Sequence, residues 1–259
     1  MNYAIYPNKT GGTARNIIVR NSKGRGIAVA GQSNVVVDGF YIDGTASSGV
    51  IVLNDTSFNT RVPDNVRIAN GVIKNAETVA PVDSNRDGIL CAEAAGCSFA
   101  NIEVIAPTTF GFRSQTSTRV TASNIRVRDN GQSDGFNIYQ TSQVELSDCH
   151  AENIKGYGFF FGQTPSVVAD NLTAINVSKS SALHRAIWFE NGARILASDL
   201  KVIDTQNPAT GYIVGAYQDT AYTQRGVLHG VLYRIENGAF SLQHGSTKLN
   251  TQDVLTSVP

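Results

Sequence analysis

Among the aspartates of this 259-residue chain that stand directly before a glycine and an apolar residue are Asp87 in RDGI (86–89) and Asp134 in SDGF (133–136). Arg113 lies between them in sequence, Tyr139 follows soon after Asp134, and Glu190 comes later beside Trp188. A pair of carboxylates can split a bond to oxygen by general acid and base action when separated by roughly 6.5–9.5 Å, a gap that admits water. The same residue types could instead run an elimination, with an arginine neutralising a substrate carboxylate and Tyr139 acting as base or acid. Residues scattered over a hundred positions do neither unless the fold gathers them.

The chain repeats itself in a way that gathers them. Small residues that open an apolar pair fall at Gly26, Gly49, Gly88, Gly111, Gly135, Gly158, Ala186, Gly211 and Ala239. Successive spacings are 23, 39, 23, 24, 23, 28, 25 and 28. Such a period marks a solenoid. One place after each start stand Ile27, Val50, Ile89, Phe112, Phe136, Phe159, Ile187, Tyr212 and Phe240. Two further on stand Val29, Val52, Cys91, Ser114, Ile138, Phe161, Phe189, Val214 and Leu242. Alternation of period two places both columns on one inward face of a short strand. Second and third strands recur around Cys97/Phe99 and Ile102/Val104, with equivalents in other coils. The pattern predicts an all-β, single-stranded right-handed parallel β-helix of about nine coils with three strands per coil, a single domain over 1–259.

Other features fit that frame. Asn101, Asn124, Asp148, Asn171 and Asp199 form a polar column between the second and third strands, expected to be a structural ladder at a left-handed corner. Cys91, Cys97 and Cys149 fall in inward columns and read as small buried apolar residues. Lys+Arg and Asp+Glu each number 21, so no net field favours nucleic acid. No apolar run is long enough for membrane insertion. The start, MNYAIYPNKTGG, lacks the basic-then-apolar pattern of a signal peptide. The first coil is expected to be only half present, beginning at Asn16, and neither end carries a visible cap. A longer chain or an oligomer, such as a homotrimer, is therefore expected.

Ligands must use the outside of such a rod. The outward places of the first strand read Ala28, Ile51, Leu90, Arg113, Asn137, Phe160, Trp188, Ile213 and Ser241 in one column. The other reads Ala30, Leu53, Ala92, Gln115, Tyr139, Gly162, Glu190, Gly215 and Gln243. From Gly111 to Ala186 these columns turn from aliphatic to aromatic and planar polar, a strip suited to sugar rings. Asp87 and Asp134 precede starts two coils apart, about 9–10 Å in a regular stack. Asp134 and Glu190 make a second pair at two coils. Catalytic candidates are thus Asp87, Asp134, Glu190, Arg113 and Tyr139. Binding candidates are Trp188, Phe160, Asn137, Gln115, Arg185, His184 and Glu93. His150, His229 and His244 show no constellation. Insertions near 55–64, 76–86, 176–185 and 216–223 would bound the groove. No cofactor is implied; calcium is compatible with the carboxylates, but no motif indicates it.

These columns resemble the pectate-lyase-like right-handed parallel β-helix superfamily over essentially the whole chain. That superfamily includes polysaccharide lyases, polygalacturonases and phage tailspike depolymerases. The resemblance implies a polysaccharide partner, an extracellular or virion-associated setting, and an endo-acting hydrolase or lyase. Residues 109–136 are similar in spacing to a mannuronan C5-epimerase segment, including its DNG…DGF ending. There Phe110-Gly111-Phe112-Arg113-Ser114-Gln115 replaces Tyr-Gly-Phe-Asp-Pro-His, so only Asp134 matches. RDGI resembles the Asn-Thr-Asp-Gly of polygalacturonases, without their paired aspartates one coil later. Two alternatives remain: a non-catalytic carbohydrate-binding or structural solenoid, and an epimerase relative with altered catalytic residues.

Overall fold

The computed structural model describes residues 3–5, 11–54, 61–76, 86–179, 185–192, 194–210, 213–217, 225–237, 239, 241–244, 249–252 and 256–257. Their backbone forms 23 strands in two sheets, every pairing parallel between successive coils. The ten-stranded first sheet stacks one strand per coil. It runs from Tyr3–Ile5 through Arg25–Ala30, Val50–Leu53, Ile89–Ala92, Phe112–Gln115, Phe136–Tyr139, Phe159–Gly162, Arg185–Glu190 and Ile213–Tyr217 to Ser241–His244. The inward column runs in register as read from the sequence, Ile27–Val50–Ile89–Phe112–Phe136–Phe159–Ile187. Two details differ. Tyr3 pairs with Arg25 and Ile5 with Ile27, so the first coil has its first strand and is not half a coil. Val214, rather than Tyr212, pairs with Ile187, two places further on than the spacing implies, and the register slips by one residue between Arg185 and Ile187. The resulting two-residue offset keeps inward residues inward, so alternation alone does not reveal it.

The second and third strands of most coils run on as one long strand, as in Ala95–Ile105 and Thr118–Arg128. Among the described residues they are separate strands in three coils, at Gln143–Ser147/His150–Glu152, Ser166–Asp170/Thr173–Ile175 and Leu249–Gln252/Thr256–Ser257. The bend between them is a single residue with positive φ. Asn101, Asn124, Asp148, Asn171 and Asp199 all have φ between 49° and 55°. Their side chains bond coil to coil: Asn124 Nδ2 donates to Asn101 Oδ1 at 3.0 Å, and Asn101 Nδ2 to Asn70 Oδ1 at 2.9 Å. A second column of the same kind stands five residues later, at Asn75, Ala106, Asp129, Asn153 and Asn176. There Asn153 Nδ2 donates to Asp129 Oδ1 at 3.1 Å. A third follows five of the first-sheet strands, at Glu93, Thr116, Gln140, Gln163 and Asn191. These columns turn the coil with one residue per corner.

The interior is a continuous apolar stack. Phe136 and Phe159 lie face to face at 4.6 Å, and Phe161 and Phe189 at 4.8 Å. The inward Ser114 satisfies its hydroxyl on Thr141 Oγ1 at 2.9 Å. All three cysteines are buried thiols; burial pushes Cys149 up to about 12, and Cys91 together with burial pushes Cys97 up as well. Cys97 and Cys149 are inert core residues in that state.

The start glycines are required by proximity rather than by an unusual φ. A Cβ on Gly111 would strike Val127 Cγ1 and come within 2.7 Å of the Gly135 carbonyl oxygen. The same carbonyl approach recurs at Gly88, Gly135 and Gly158. Ala186 carries a methyl in this column, and the bulge falls at that point. We predict that Gly111→Ala lowers unfolding free energy by about 3 kcal/mol through overpacking. Gly131→Ala, with nothing within 4 Å of the added carbon, should be near neutral in the same denaturant titration.

Candidate functional site

The first sheet's outer face carries the two columns expected to hold a ligand. One runs Leu90–Arg113–Asn137–Phe160–Trp188–Gly215, the other Ala92–Gln115–Tyr139–Gly162–Glu190–Tyr217. Gly215 and Tyr217 therefore occupy places assigned from spacing to Ile213 and Gly215. In the early coils this face is closed: Ala28, Ile51 and Leu90 are buried and form an apolar cluster edged by Leu53 and Ala92. From Arg113 onward the face opens. Arg113, Gln115, Asn137, Tyr139, Phe160 and Glu190 are all half-buried.

Trp188 departs from expectation. It is 3% exposed, so it offers no stacking surface. The Arg185 guanidinium lies 3.8 Å from the indole centroid and covers it, a strong cation–π geometry. Arg185 Nη1 also donates to the Tyr157 hydroxyl at 3.4 Å. Tyr157 packs its half-buried ring 5.3 Å from Phe160. The aromatic surface is therefore Tyr157, Phe160 and Tyr139, with Trp188 beneath as support. Tyr157 was not among the sequence candidates. Its signal was present in the corner column preceding each start, where it replaces the aspartates. Gly162 matters for the same surface, since a Cβ there would reach the Phe160 ring and come within 2.9 Å of Tyr139 Cδ2.

The two aspartates serve the coil corner. Asp87 is fully buried; its Oδ2 lies 3.2 Å from Arg113 Nε, and its Oδ1 accepts the Phe110 N–H at 3.4 Å. Asp134 is 8% exposed; its Oδ1 accepts the Tyr157 N–H at 2.9 Å, and its Oδ2 accepts Asn137 Nδ2 at 2.8 Å. Each carboxylate thus staples its own corner to the next coil's corner, 23 residues on. Each also holds one outward side chain of the groove. Asn130 completes the Asp134 turn from a fully buried position, donating to the carbonyls of Thr109 and Asp134 and accepting the N–H groups of Gln132 and Ser133.

Glu93 is exposed at the groove rim, with φ 49°. It helps line a cavity of about 210 Å³ with Leu53, Asn54, Leu90, Ala92, Arg113, Gln115 and Thr116. A wider depression of about 420 Å³ lies on the second corner ladder, between Asp129, Asn153, Lys155 and Lys179. There Lys179 Nζ already donates to Asn153 Oδ1 at 3.3 Å. His150 has more company than its sequence context implied: Glu152 Oε2 lies 3.7 Å from its Nε2, and burial with the nearby Arg126 charge lowers its pKa. His184 and the insertions at 55–60, 77–85, 180–184 and 218–224 lie outside the described residues. Among the described residues no three His, Cys, Asp or Glu side chains cluster as metal ligands.

Burial raises the Asp134 carboxyl above its usual 3.8, against the lowering pull of Asn137 and the Tyr157 N–H. A raised folded-state pKa contributes stability that is complete below 3.8 and lost as pH rises through the folded value. The stability advantage of wild type over Asp134→Asn should therefore shrink as pH rises from acid toward neutral in parallel denaturation series. A pH-independent difference would contradict this placement.

Against family models, residues 64–223 match the right handed beta helix region. No curated protein matches the chain in sequence. Among solved structures, full-length tailspike protein 2 from Escherichia coli O157:H7 bacteriophage CAB120 aligns with a TM-score of 0.59 at 12% identity. The alignment covers 93% of this chain but only 35% of the tailspike. The A-module of the Azotobacter vinelandii mannuronan C-5 epimerase AlgE6 aligns at TM-score 0.50 and 11% identity, over 93% of this chain and 81% of that one. The Agl-KA catalytic domain aligns at 0.52 and 10%, over 97% and 60%. At such identities the likeness is one of fold.

Proposed function

Because this chain belongs to the right-handed β-helix family, as its matched residues 64–223 establish, we propose that it binds a polysaccharide along the outer face of its middle coils. One observation carries the reading. Over four consecutive coils, half-exposed rings and planar polar groups share two registered columns: Arg113, Asn137 and Phe160 in one, Gln115, Tyr139 and Glu190 in the other. Tyr157 extends the ring surface at its edge. Pyranose rings present an apolar face to stack and hydroxyls at their edge to bond, which is what alternating aromatic and amide groups accept. Strands about 4.8 Å apart repeat this offer along the rod, so a linear polymer suits it better than a compact ligand. One structural neighbour is named for its action on mannuronan, a polysaccharide.

Asp134 favours a second reading, in which the bound chain is also cleaved. Burial shifts the Asp134 carboxyl upward, the direction a general acid requires. Glu190, two coils away on the outer column, would supply the second carboxylate.

Tyr139→Ala and Phe160→Ala should each weaken polysaccharide binding about tenfold, the loss of one stacked ring. Calorimetry on folded variants would measure this, and unchanged affinity in both would overturn the groove assignment. If the chain cleaves, Asp134→Asn and Glu190→Gln should each cut product formation by about a hundredfold or more while binding persists. Unsaturated products would identify elimination, and new reducing ends without unsaturation hydrolysis. Wild type that binds but yields neither leaves binding as the whole function.

A further inference from the structure

Resting on that reading, we propose that the rim cavity beside Glu93 is a subsite for an uncharged sugar ring and discriminates against uronates. Its floor is apolar: Leu53, Leu90 and Ala92 form the edge of the closed cluster in the early coils. Its polar groups ask for hydrogen-bond donors. Asn54 Oδ1 is buried and has no hydrogen-bond partner among the described residues, an acceptor that a ligand hydroxyl would satisfy. The Glu93 carboxylate is a second acceptor and makes no ion pair among the described residues. Floor and rim together suit a ring with one apolar face and hydroxyl donors at its edge.

The charge balance sets the class of sugar. Among the described residues two charged side chains line the cavity, Arg113 and Glu93. Arg113 faces the fully buried Asp87 carboxylate at 3.2 Å, so its positive charge is matched beneath the groove floor. Its guanidinium is also drawn back over the Phe110 ring, 5.3 Å from the centroid. Glu93 therefore leaves the cavity net negative. A uronate carboxylate entering it would meet like charge and an orphan acceptor, and both repel it. The residue that first looks like a uronate clamp is already occupied.

The test compares neutral oligosaccharides of glucose, mannose and galactose with oligogalacturonate and oligomannuronate of equal length, by calorimetry at low salt. Wild type should bind at least one neutral oligosaccharide about tenfold tighter than either uronate. Glu93→Gln should narrow that ratio, and Glu93→Lys should bring uronates to parity or beyond. Glu93 is exposed, and circular dichroism would verify that both variants keep the fold. A wild type that prefers uronates, or a ratio unmoved by either substitution, overturns the subsite while leaving polysaccharide binding in place. Binding of neither class removes the groove reading and the subsite together.

Discussion

The constraint on which the rest depends is the closeness of successive coils at the start of the first-sheet strand. There the backbone of one coil passes the carbonyl of the next with no room for a side chain, while a branched residue from the third strand fills the space inside. Parallel backbone bonding then sets the pitch, and every inward side chain lies on its counterpart one coil away. The phenylalanine stacks, the buried hydroxyl of Ser114 and the buried cysteines all follow from that superposition. So does the outer face, since side chains that alternate with a stacked core must themselves form columns.

This logic explains which parts of the fold were legible in the sequence. Columns such as Ile89–Phe112–Phe136–Phe159 could be read because burial on one side demands alternation. The first strand, Tyr3–Ile5, escaped because three residues are too few for a period to declare itself. The slip at Ile187–Val214 escaped because a two-residue offset preserves which way side chains point. The second corner column escaped in part because Ala106 interrupts its run of Asn and Asp.

The candidate site was legible as a face but not as a set of roles. Outward position is a matter of parity, whereas exposure depends on what covers the face, and parity is silent on that. Leu90 and Trp188 both point outward and both are buried. Asp87 and Asp134 have the composition of an acid/base pair, yet their oxygens are committed to backbone N–H groups one coil on. Such burial is costly for a carboxylate unless it is paired. Arg113 and Asn137 supply that pairing, which orders two groove residues as a by-product. Catalytic and architectural uses of aspartate look alike in sequence because both place it before glycine at a turn.

The corner after the middle first-sheet strands is built on costly backbone. A left-handed backbone is tolerated best by glycine or asparagine, and other residues bear a cost of roughly 1 kcal/mol or more. Yet this corner holds Glu93, Thr116, Gln140 and Gln163, all near φ 50°. Gln140 Nε2 donates to Gln163 Oε1 at 2.9 Å, so the longer amides repeat the coil-to-coil bond of the asparagine columns and offset part of the strain on which they sit.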